Sequence, residues 1–289
     1  MPAFFDFHKS QVILAGLILT GLAAPAEAEA SLDRGRYLVE GPAGCGNCHT
    51  PLGPQGPVME MALGGRVVEE SEAFTAVAAN LTPASRIAGW SDAELVRAIR
   101  EGIRPDGSVI GPPMPITLYR GLSDDDVNSI VMYLRQVPAV ENDAGESVYN
   151  IPLPPAYGPP IDTVAALTPA VSVEYGEYLA GPVAHCMECH TTFGPQGAMF
   201  DTHLGAGGMV FAGPTGPVVA GNITSGPEGI GKYTDEELAA IITKGERPGG
   251  IPMSPPMPYG YLAQMTDDDL AAIILYLRQL PALPFGGEG

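Results

Sequence analysis

One unit occurs twice in the sequence, and this repetition constrains the fold more strongly than any other feature. Two Cys-x-x-Cys-His motifs start at Cys45 and Cys186, 141 residues apart. Because other segments return in the same order at nearly the same spacing, we expect two copies of one fold. The returning segments are Asn80-Leu81-Thr82 as Asn222-Ile223-Thr224, Pro112-Pro113-Met114-Pro115 as Pro255-Pro256-Met257-Pro258, and Tyr133-Leu134-Arg135-Gln136 as Tyr276-Leu277-Arg278-Gln279.

A proline-rich stretch separates the two copies, from Pro138 to about Ser172. Segments of this composition are extended and semi-rigid. The sequence therefore predicts two tandem domains, residues 31–138 and residues 173–284, joined by a linker over residues 139–172. These parts are called below the first copy, the second copy and the linker segment.

Residues 1–30 have the pattern of a bacterial export signal. His8 and Lys9 give a basic start, Val12 to Ala24 form an apolar run, and Ala26-Glu27-Ala28 offers a small-x-small cleavage site. The run is too short for a comfortable membrane span. We expect a soluble periplasmic protein, with an uncleaved anchor as the alternative. Membrane association would then arise only through that anchor or through a partner.

The helix signals of the two copies agree. Apolar residues recur at helical spacing before Pro138 and before Pro281, where the last helix of each copy ends. No stretch alternates persuasively as a strand would, so we predict an all-α fold with few helices and much loop. Four residues are predicted to begin helices, because each is a serine or threonine with an acidic residue three positions later. They are Ser91, Ser123, Thr234 and Thr266.

The formal net charge of −19 limits the classes of partner. Nucleic acid is excluded, because phosphate contacts need Lys and Arg and the chain has only 14 of them against 33 acidic residues. An acidic surface favours docking to a basic face of another protein. Keeping the protein in solution is the alternative explanation of the charge.

All four cysteines lie in the two Cys-x-x-Cys-His motifs, which is the attachment signal of c-type haem. Two intervening residues let both thiols reach two vinyl groups from one helical turn, and the next histidine faces the iron. We therefore predict two haem c groups. A structural zinc site, a thioredoxin-like redox motif and a local disulfide are the alternatives, and a closed zinc site would need a fourth ligand. The predicted attachment residues are Cys45, Cys48, Cys186 and Cys189, and the predicted iron ligands are His49 and His190.

Met114 and Met257 are the candidates for the sixth iron ligand. Both lie in a Pro-Pro-Met-Pro setting, where prolines fix the backbone of a loop that can present a thioether. A methionine that fills a gap in the core is the alternative. Met253 is the rival in the second copy, and Ile110 stands at its position in the first copy.

Each ligating histidine is also expected to donate its other ring N–H to a backbone carbonyl. The Gly53-Pro54 and Gly194-Pro195 loops, shortly after each motif, are the candidate sources of that carbonyl.

A haem iron with histidine and methionine ligands has both axial positions filled. Such an iron transfers single electrons and offers no easy position to a substrate, so we predict an electron carrier and not an enzyme. The alternatives are a dihaem redox enzyme such as a peroxidase, which needs an open or displaceable ligand, and a haem-based sensor.

The chain resembles the cytochrome c subunits of membrane-associated bacterial dehydrogenases. The resemblance covers nearly all of the predicted mature chain and includes the Pro-Met-Pro loop and the final Tyr-Leu-Arg. Those subunits accompany quinoprotein alcohol dehydrogenases, flavoprotein sugar-acid dehydrogenases and molybdenum hydroxylases. The other segments that carry it are Arg34-Gly35-Arg36-Tyr37-Leu38 before the first cysteine motif, Asn222-Ile223-Thr224, Gly229-Ile230-Gly231 and Thr234-Asp235-Glu236-Glu237-Leu238.

The resemblance implies class I cytochrome c domains that pass electrons from a donor dehydrogenase to an acceptor protein, toward the respiratory chain. It implies that Cys45, Cys48, His49 and Met114 serve one haem. It implies that Cys186, Cys189, His190 and Met257 serve the other. Many such subunits have three haem domains and a C-terminal membrane helix, whereas this sequence shows two copies, so a soluble shuttle is the alternative to a complex subunit.

Overall fold

The computed structural model describes residues 29–195, 197–213 and 216–286. The predicted export signal lies outside the described residues except for its last two positions. Within the described ranges, no helix is both long enough and apolar enough to cross a membrane.

The first copy contains five α-helices and two β-hairpins within its described residues. The first helix precedes the first cysteine motif, and the second helix contains it. Short 3-10 turns lie at Met59–Met61 and Arg86–Gly89. The elements are α1 (Leu32–Glu40), α2 (Cys45–His49), α3 (Asp92–Glu101), α4 (Ile116–Tyr119) and α5 (Asp124–Leu134), with β1 (Leu52–Gly53), β2 (Gly56–Pro57), β3 (Arg66–Glu70) and β4 (Phe74–Ala78).

The second copy repeats this order with a few differences. A short strand, β5 (Val148–Tyr149), lies between the copies, and the first helix of the second copy continues as a π-helical turn over Leu179–Val183. A 3-10 turn covers Ile230–Lys232. The helices are α6 (Val173–Tyr178), α7 (Cys186–His190), α8 (Phe200–His203), α9 (Asp235–Lys244), α10 (Tyr259–Leu262) and α11 (Asp267–Gln279). The strands are β6 (Phe193–Gly194), β7 (Gly197–Ala198), β8 (Val210–Gly213), β9 (Gly216–Val219), β10 (Glu246–Arg247) and β11 (Ile251–Pro252).

The all-α prediction is wrong. Among the described residues 38% are helical and 13% lie in strands, which form one three-stranded sheet (β3-β4-β5) and several two-stranded hairpins. Most strands have only two residues, too few for alternation to be visible. The longest pair, β3 and β4, has a register irregularity between Val67 and Glu69 that also interrupts the alternation.

The predicted helix starts are confirmed. Ser91 and Thr234 each form a full capping box, with Glu94 and Glu237 respectively, at the start of α3 and α9. Ser123 and Thr266 accept hydrogen bonds from backbone N–H groups at the start of α5 and α11. These caps satisfy N–H groups that a helix leaves unpaired at its first turn.

Each copy has its first helix packed across its last helix. At the crossing point in the first copy, a Cβ atom on Gly35 would lie 1.9 Å from the carbonyl oxygen of Ser129. In the second copy, a Cβ atom on Gly176 would lie 1.9 Å from the carbonyl oxygen of Ala272. The two backbones therefore approach more closely than any residue with a Cβ atom would allow. Fully buried side chains such as Leu38 and Leu179 fill the core beside the crossings.

The two copies contact each other through two reciprocal tyrosine hydrogen bonds. The Tyr178 hydroxyl of the second copy donates to Asp126 at 2.6 Å and accepts from the backbone N–H of Ser123 at 3.2 Å. The Tyr37 hydroxyl of the first copy donates to Asp269 at 2.5 Å and accepts from the backbone N–H of Thr266 at 3.2 Å. Tyr37 and Tyr178 occupy matching repeat positions, so each copy offers the same donor to the same helix start of the other.

The linker segment lies along the first copy. β5 pairs with β4, and the Asn80 amide donates to the Val140 carbonyl at 2.8 Å. Further along, the backbone N–H of Asp124 donates to the Val164 carbonyl at 2.9 Å. The linker segment is therefore hydrogen-bonded to the first copy, and its extended conformation stays a prediction. The domain bounds stay a prediction.

Candidate functional site

Each cysteine motif forms one short helix, and the geometry of the chain before it sets where that helix begins. Gly44 precedes α2 and His185 precedes α7, both in the left-handed region with φ of 54° and 40°. The sharp turn there starts the helix at the first cysteine. Residues three apart lie on one face of a helix, so Cys45 and Cys48 point to the same side in α2. The four cysteines are free in the structure.

Burial holds all four thiols in the protonated form. It raises the pKa of Cys45 to about 12 and that of Cys186 to about 11. Burial also raises the pKa of Cys48, and the positive charge of Arg66 partly offsets this rise. Burial raises the pKa of Cys189 to about 12, and the negative charges of Glu188, Cys186 and Cys48 add to the rise. Reactive redox cysteines have a lowered pKa, whereas at Cys48 burial outweighs the positive charge of Arg66. The thioredoxin-like alternative therefore has no support in the site.

The two histidines are held by backbone carbonyls, as predicted, but not by those of the predicted loops. His49 Nδ1 lies 2.6 Å from the Ala79 carbonyl oxygen, and His190 Nδ1 lies 2.7 Å from that of Gly221. Burial lowers the pKa of both imidazoles, and the hydrogen bond to the backbone carbonyl partly offsets this lowering. The neutral ring therefore donates from Nδ1 and keeps Nε2 as a lone-pair donor toward a metal.

The Asn-x-Thr motifs position these carbonyls. Asn80 and Asn222 follow Ala79 and Gly221 directly, and each is only 7% exposed. The Asn80 side-chain oxygen accepts from both the backbone N–H and the hydroxyl of Thr82, at 2.8 Å each. The repeated motif in the sequence therefore signals the histidine support, although spacing alone did not connect it to His49.

Met114 and Met257 lie two residues before the first residue of α4 and of α10, in loops that close with matching backbone hydrogen bonds. Ile116 N–H donates to the Met114 carbonyl at 2.8 Å, and Tyr259 N–H donates to the Met257 carbonyl at 3.0 Å. Both methionines are partly buried and pack against the hydrophobic core. Their role as iron ligands stays a prediction.

The two cysteine helices lie at the contact between the copies. Tyr261 of the second copy packs over Gly46, where an added Cβ atom would lie 2.4 Å from the tyrosine hydroxyl. The Tyr119 ring of the first copy meets the His185 ring edge-on, with centroids 5.7 Å apart. The two candidate sites are therefore neighbours.

The donor set fits a covalently attached haem. Each helix offers two free thiols on one face, followed by a neutral imidazole whose Nε2 is available. In the described residues, no group of three or more His, Cys, Asp or Glu side chains could hold a metal ion, so the zinc alternative lacks its ligands.

The second copy matches a known family. Residues 173–281 match the family model described as "Cytochrome c". These residues form a cytochrome c domain. Proteins of this kind bind haem c covalently and transfer electrons.

Known proteins resemble most of the chain. It is 29% identical to "Fructose dehydrogenase cytochrome subunit" of Gluconobacter japonicus, over 89% of this chain and 54% of that protein. It is 29% identical to "Alcohol dehydrogenase (quinone), cytochrome c subunit" of Gluconobacter oxydans, over 89% of this chain and 56% of that protein. The chain thus spans little more than half the length of these relatives. "Diheme cytochrome c-type" of Cereibacter sphaeroides is 27% identical over 83% of both chains.

Proposed function

We propose that this chain is a periplasmic electron-transfer protein with two covalently attached haem c groups. Cys45 and Cys48 hold one haem, with His49 and Met114 as axial ligands. The second haem is held by Cys186 and Cys189, with His190 and Met257 as axial ligands. The observation that carries the proposal is the repeated site: two helices with the same thiols, the same Nδ1–carbonyl hydrogen bond and the same methionine loop.

The protein's own residues fix the surroundings of each iron. A bound haem supplies a one-electron couple at its iron. The Ala79 and Gly221 carbonyls orient the imidazoles and make them more basic. Methionine ligation raises the potential, as does a buried site. Since the ligands are held before the electron arrives, little has to reorganise on its transfer.

The neighbouring sites support electron transfer between the two haems. Tyr261 of the second copy packs over Gly46 in α2, and the Tyr119 ring of the first copy meets the ring of His185, directly before α7. Two one-electron groups close together allow electrons to enter at one site and leave from the other. No relative reported above is named as a peroxidase, and two filled irons would leave no position for peroxide.

The electron donor is proposed to be a dehydrogenase. The relatives are named as cytochrome subunits of fructose and alcohol dehydrogenases. The net charge of −19 favours docking to a basic face of the donor or of the acceptor protein. Electrons then pass from the dehydrogenase through the two haems toward the respiratory chain.

The haem count tests the central part of the proposal. We expect two haems per chain that survive acid–acetone extraction, measured as pyridine haemochrome against protein mass. The variants Cys45→Ser/Cys48→Ser and Cys186→Ser/Cys189→Ser are matched, and each should retain one haem. A wild-type chain with one haem, or with haem that acid–acetone removes, would contradict the proposal.

The electron donor is tested by reduction of the purified oxidised chain. Washed membranes of the organism that encodes it are supplied in turn with fructose, ethanol and gluconate, and reduction is followed by haem absorbance. We expect one substrate to reduce the protein at a rate that falls as salt screens the docking charges. Equal, salt-independent reduction without substrate would argue against a dehydrogenase donor.

A further inference from the structure

Two tyrosines of the linker segment hold the loop that carries Met114. The Tyr157 hydroxyl donates to the Ile110 carbonyl at 2.9 Å, and the Tyr149 hydroxyl donates to the Pro112 carbonyl at 2.7 Å. The acceptors lie four and two residues before the methionine. The backbone that leads to Met114 is thus hydrogen-bonded to the linker segment, which lies outside the predicted first domain.

The tyrosine rings also fill the space that this loop leaves. A Cβ atom on Gly111 would lie 2.5 Å from the Tyr149 ring, and one on Gly102 would lie 3.1 Å from the Tyr157 ring. Gly111 is buried as a result. Tyr149 is itself fixed, because it belongs to β5 and its ring lies 5.5 Å from that of Phe74. The loop is therefore held by two partly buried side chains on a supported strand and its continuation.

The second copy has a matching loop without this support. Ser254 stands at the position of Gly111, and both Ser254 and the following Pro255 are exposed. In the described part of the chain, the side chain that reaches a carbonyl of residues 253–255 is that of Tyr259, at 3.5 Å from the Ser254 oxygen. The ring of Tyr259 lies over Gly245, where Tyr157 lies over Gly102 in the first copy. The Tyr149 site has no such replacement among these residues.

We propose that Tyr149 and Tyr157 are positioning residues for Met114, so that Met114 is a more firmly held iron ligand than Met257. The proposal rests on the proposed function, since it takes both methionines as ligands. The linker segment then has a role in the first haem site beyond joining the copies. The two haems, built on the same repeat, differ in how readily an external ligand replaces the methionine.

The physical reason is preorganisation. A methionine whose loop gains conformational freedom when the thioether leaves the iron is more readily replaced by an external ligand. Restraining a ligand group in its bound conformation lowers the entropy lost when it binds. Tyr149 and Tyr157 restrain the first loop by hydrogen bonds and by ring packing, whereas Ser254 and Pro255 of the second loop are exposed to solvent.

The test measures imidazole displacement of each methionine separately. In a Met257→His background, the weak methionine-to-iron absorption at the red end of the spectrum reports Met114 only. In a Met114→His background, it reports Met257 only. Oxidised protein is titrated with imidazole, and the midpoint of band loss is recorded. We expect a higher midpoint for Met114 than for Met257.

Phenylalanine variants then separate the tyrosine hydroxyls from the fold. Tyr149→Phe and Tyr157→Phe, in the Met257→His background, should each lower the Met114 midpoint by roughly two- to ten-fold, the effect of one hydrogen bond. Tyr259→Phe in the Met114→His background is the comparison, and it should change the Met257 midpoint by less than two-fold, because its hydroxyl reaches the Ser254 oxygen only at 3.5 Å. Far-UV circular dichroism and haem content confirm that each variant is folded.

The outcomes distinguish the two proposals. Absence of the band in the single-histidine backgrounds would overturn methionine ligation itself. Bands with equal midpoints, or phenylalanine variants that leave the Met114 midpoint unchanged, would overturn the positioning role while methionine ligation stands. Tyr149→Phe is also placed in the Met114→His background, where a fall of the Met257 midpoint equal to that of Met114 would overturn the positioning role, since the tyrosine contacts the first loop.

Discussion

Two aspartates occupy matching positions in the first turn of the last helix of each copy, and their partners differ. Asp126 accepts two hydrogen bonds from the Arg34 guanidinium, at 2.8 Å each, and one from Tyr178. Asp269 accepts from Tyr37, and the position that matches Arg34 is Tyr175. Both aspartates are buried. The ion pair is thus specific to one side of the contact between the copies.

Replacing each aspartate by asparagine should separate the two cases. We expect Asp126→Asn to lower the free energy of unfolding by roughly 2–3 kcal/mol, because it leaves the Arg34 charge without its partner. This is less than a fully buried pair would lose, since 24% of the Arg34 side chain is exposed. Asp269→Asn should lower the free energy of unfolding by about 1 kcal/mol, because the asparagine oxygen still accepts the hydrogen bond from Tyr37. Urea unfolding measures both, and equal losses would argue against the ion pair.

The helices of each copy are held together at a crossing that only glycine permits. α1 meets α5 at Gly35, and α6 meets α11 at Gly176, with the same close approach to a carbonyl oxygen. Arg135 and Arg278, near the ends of the last helices, donate to the Ile87 and Ile230 carbonyls and so fasten the 3-10 turns before α3 and α9. The repeated Tyr-Leu-Arg sequence therefore serves packing within each copy.

Alanine at the crossing should push the helices apart. Gly35→Ala and Gly176→Ala should each destabilise the protein by roughly 1–3 kcal/mol, because the added methyl group overlaps a backbone oxygen that cannot move alone. The gain of alanine in helix propensity, about 1 kcal/mol, does not offset this. Gly260→Ala is the control, since its Cβ atom would meet nothing within 4 Å. Thermal unfolding of the three variants gives the comparison, and a control as unstable as the others would remove the explanation.

The helices could be predicted from the sequence because their signals are local. Ser91 and Glu94 are three residues apart, and the apolar spacing of α5 is visible within a few turns. The strands could not, because β1, β2 and β5 have two residues each and depend on a partner strand. The histidine carbonyl was missed for the same reason, since His49 and Ala79 are 30 residues apart and only the folded chain brings them together.

The contact between the copies also could not be predicted from the sequence. Tyr37 and Asp269 are 232 residues apart, and nothing in the repeat indicates that each tyrosine crosses to the other copy. Hydrogen bonding to an aspartate and burial together raise the pKa of Tyr37 and Tyr178 well above the ordinary tyrosine value of 10.0, burial being the larger cause. The folded state therefore keeps these protons at a pH where the unfolded chain loses them.

Stability should consequently fall as pH rises above about 10, because only the unfolded state then gains by releasing protons. The double variant Tyr37→Phe/Tyr178→Phe should be less stable than the wild type at neutral pH and should show a shallower decline at alkaline pH. The decline is reduced and not abolished, since burial raises the pKa of other tyrosines, including Tyr119. Urea unfolding followed by far-UV circular dichroism across this range checks the result. A parallel decline in both proteins would contradict the role of the pair.

The crossed tyrosines have a consequence for the origin of the chain. In an isologous, two-fold interface, one residue of each copy contacts the same second residue of the other copy, as Tyr37 and Tyr178 do here. A single ancestral unit with tyrosine at the Tyr37 position, a hydroxyl cap and aspartate at the Asp269 position would be self-complementary. Such a unit would have the residues needed to pair with its own copy. The present chain has the contact pattern of a tethered homodimer whose halves differ at Arg34 and along the linker segment.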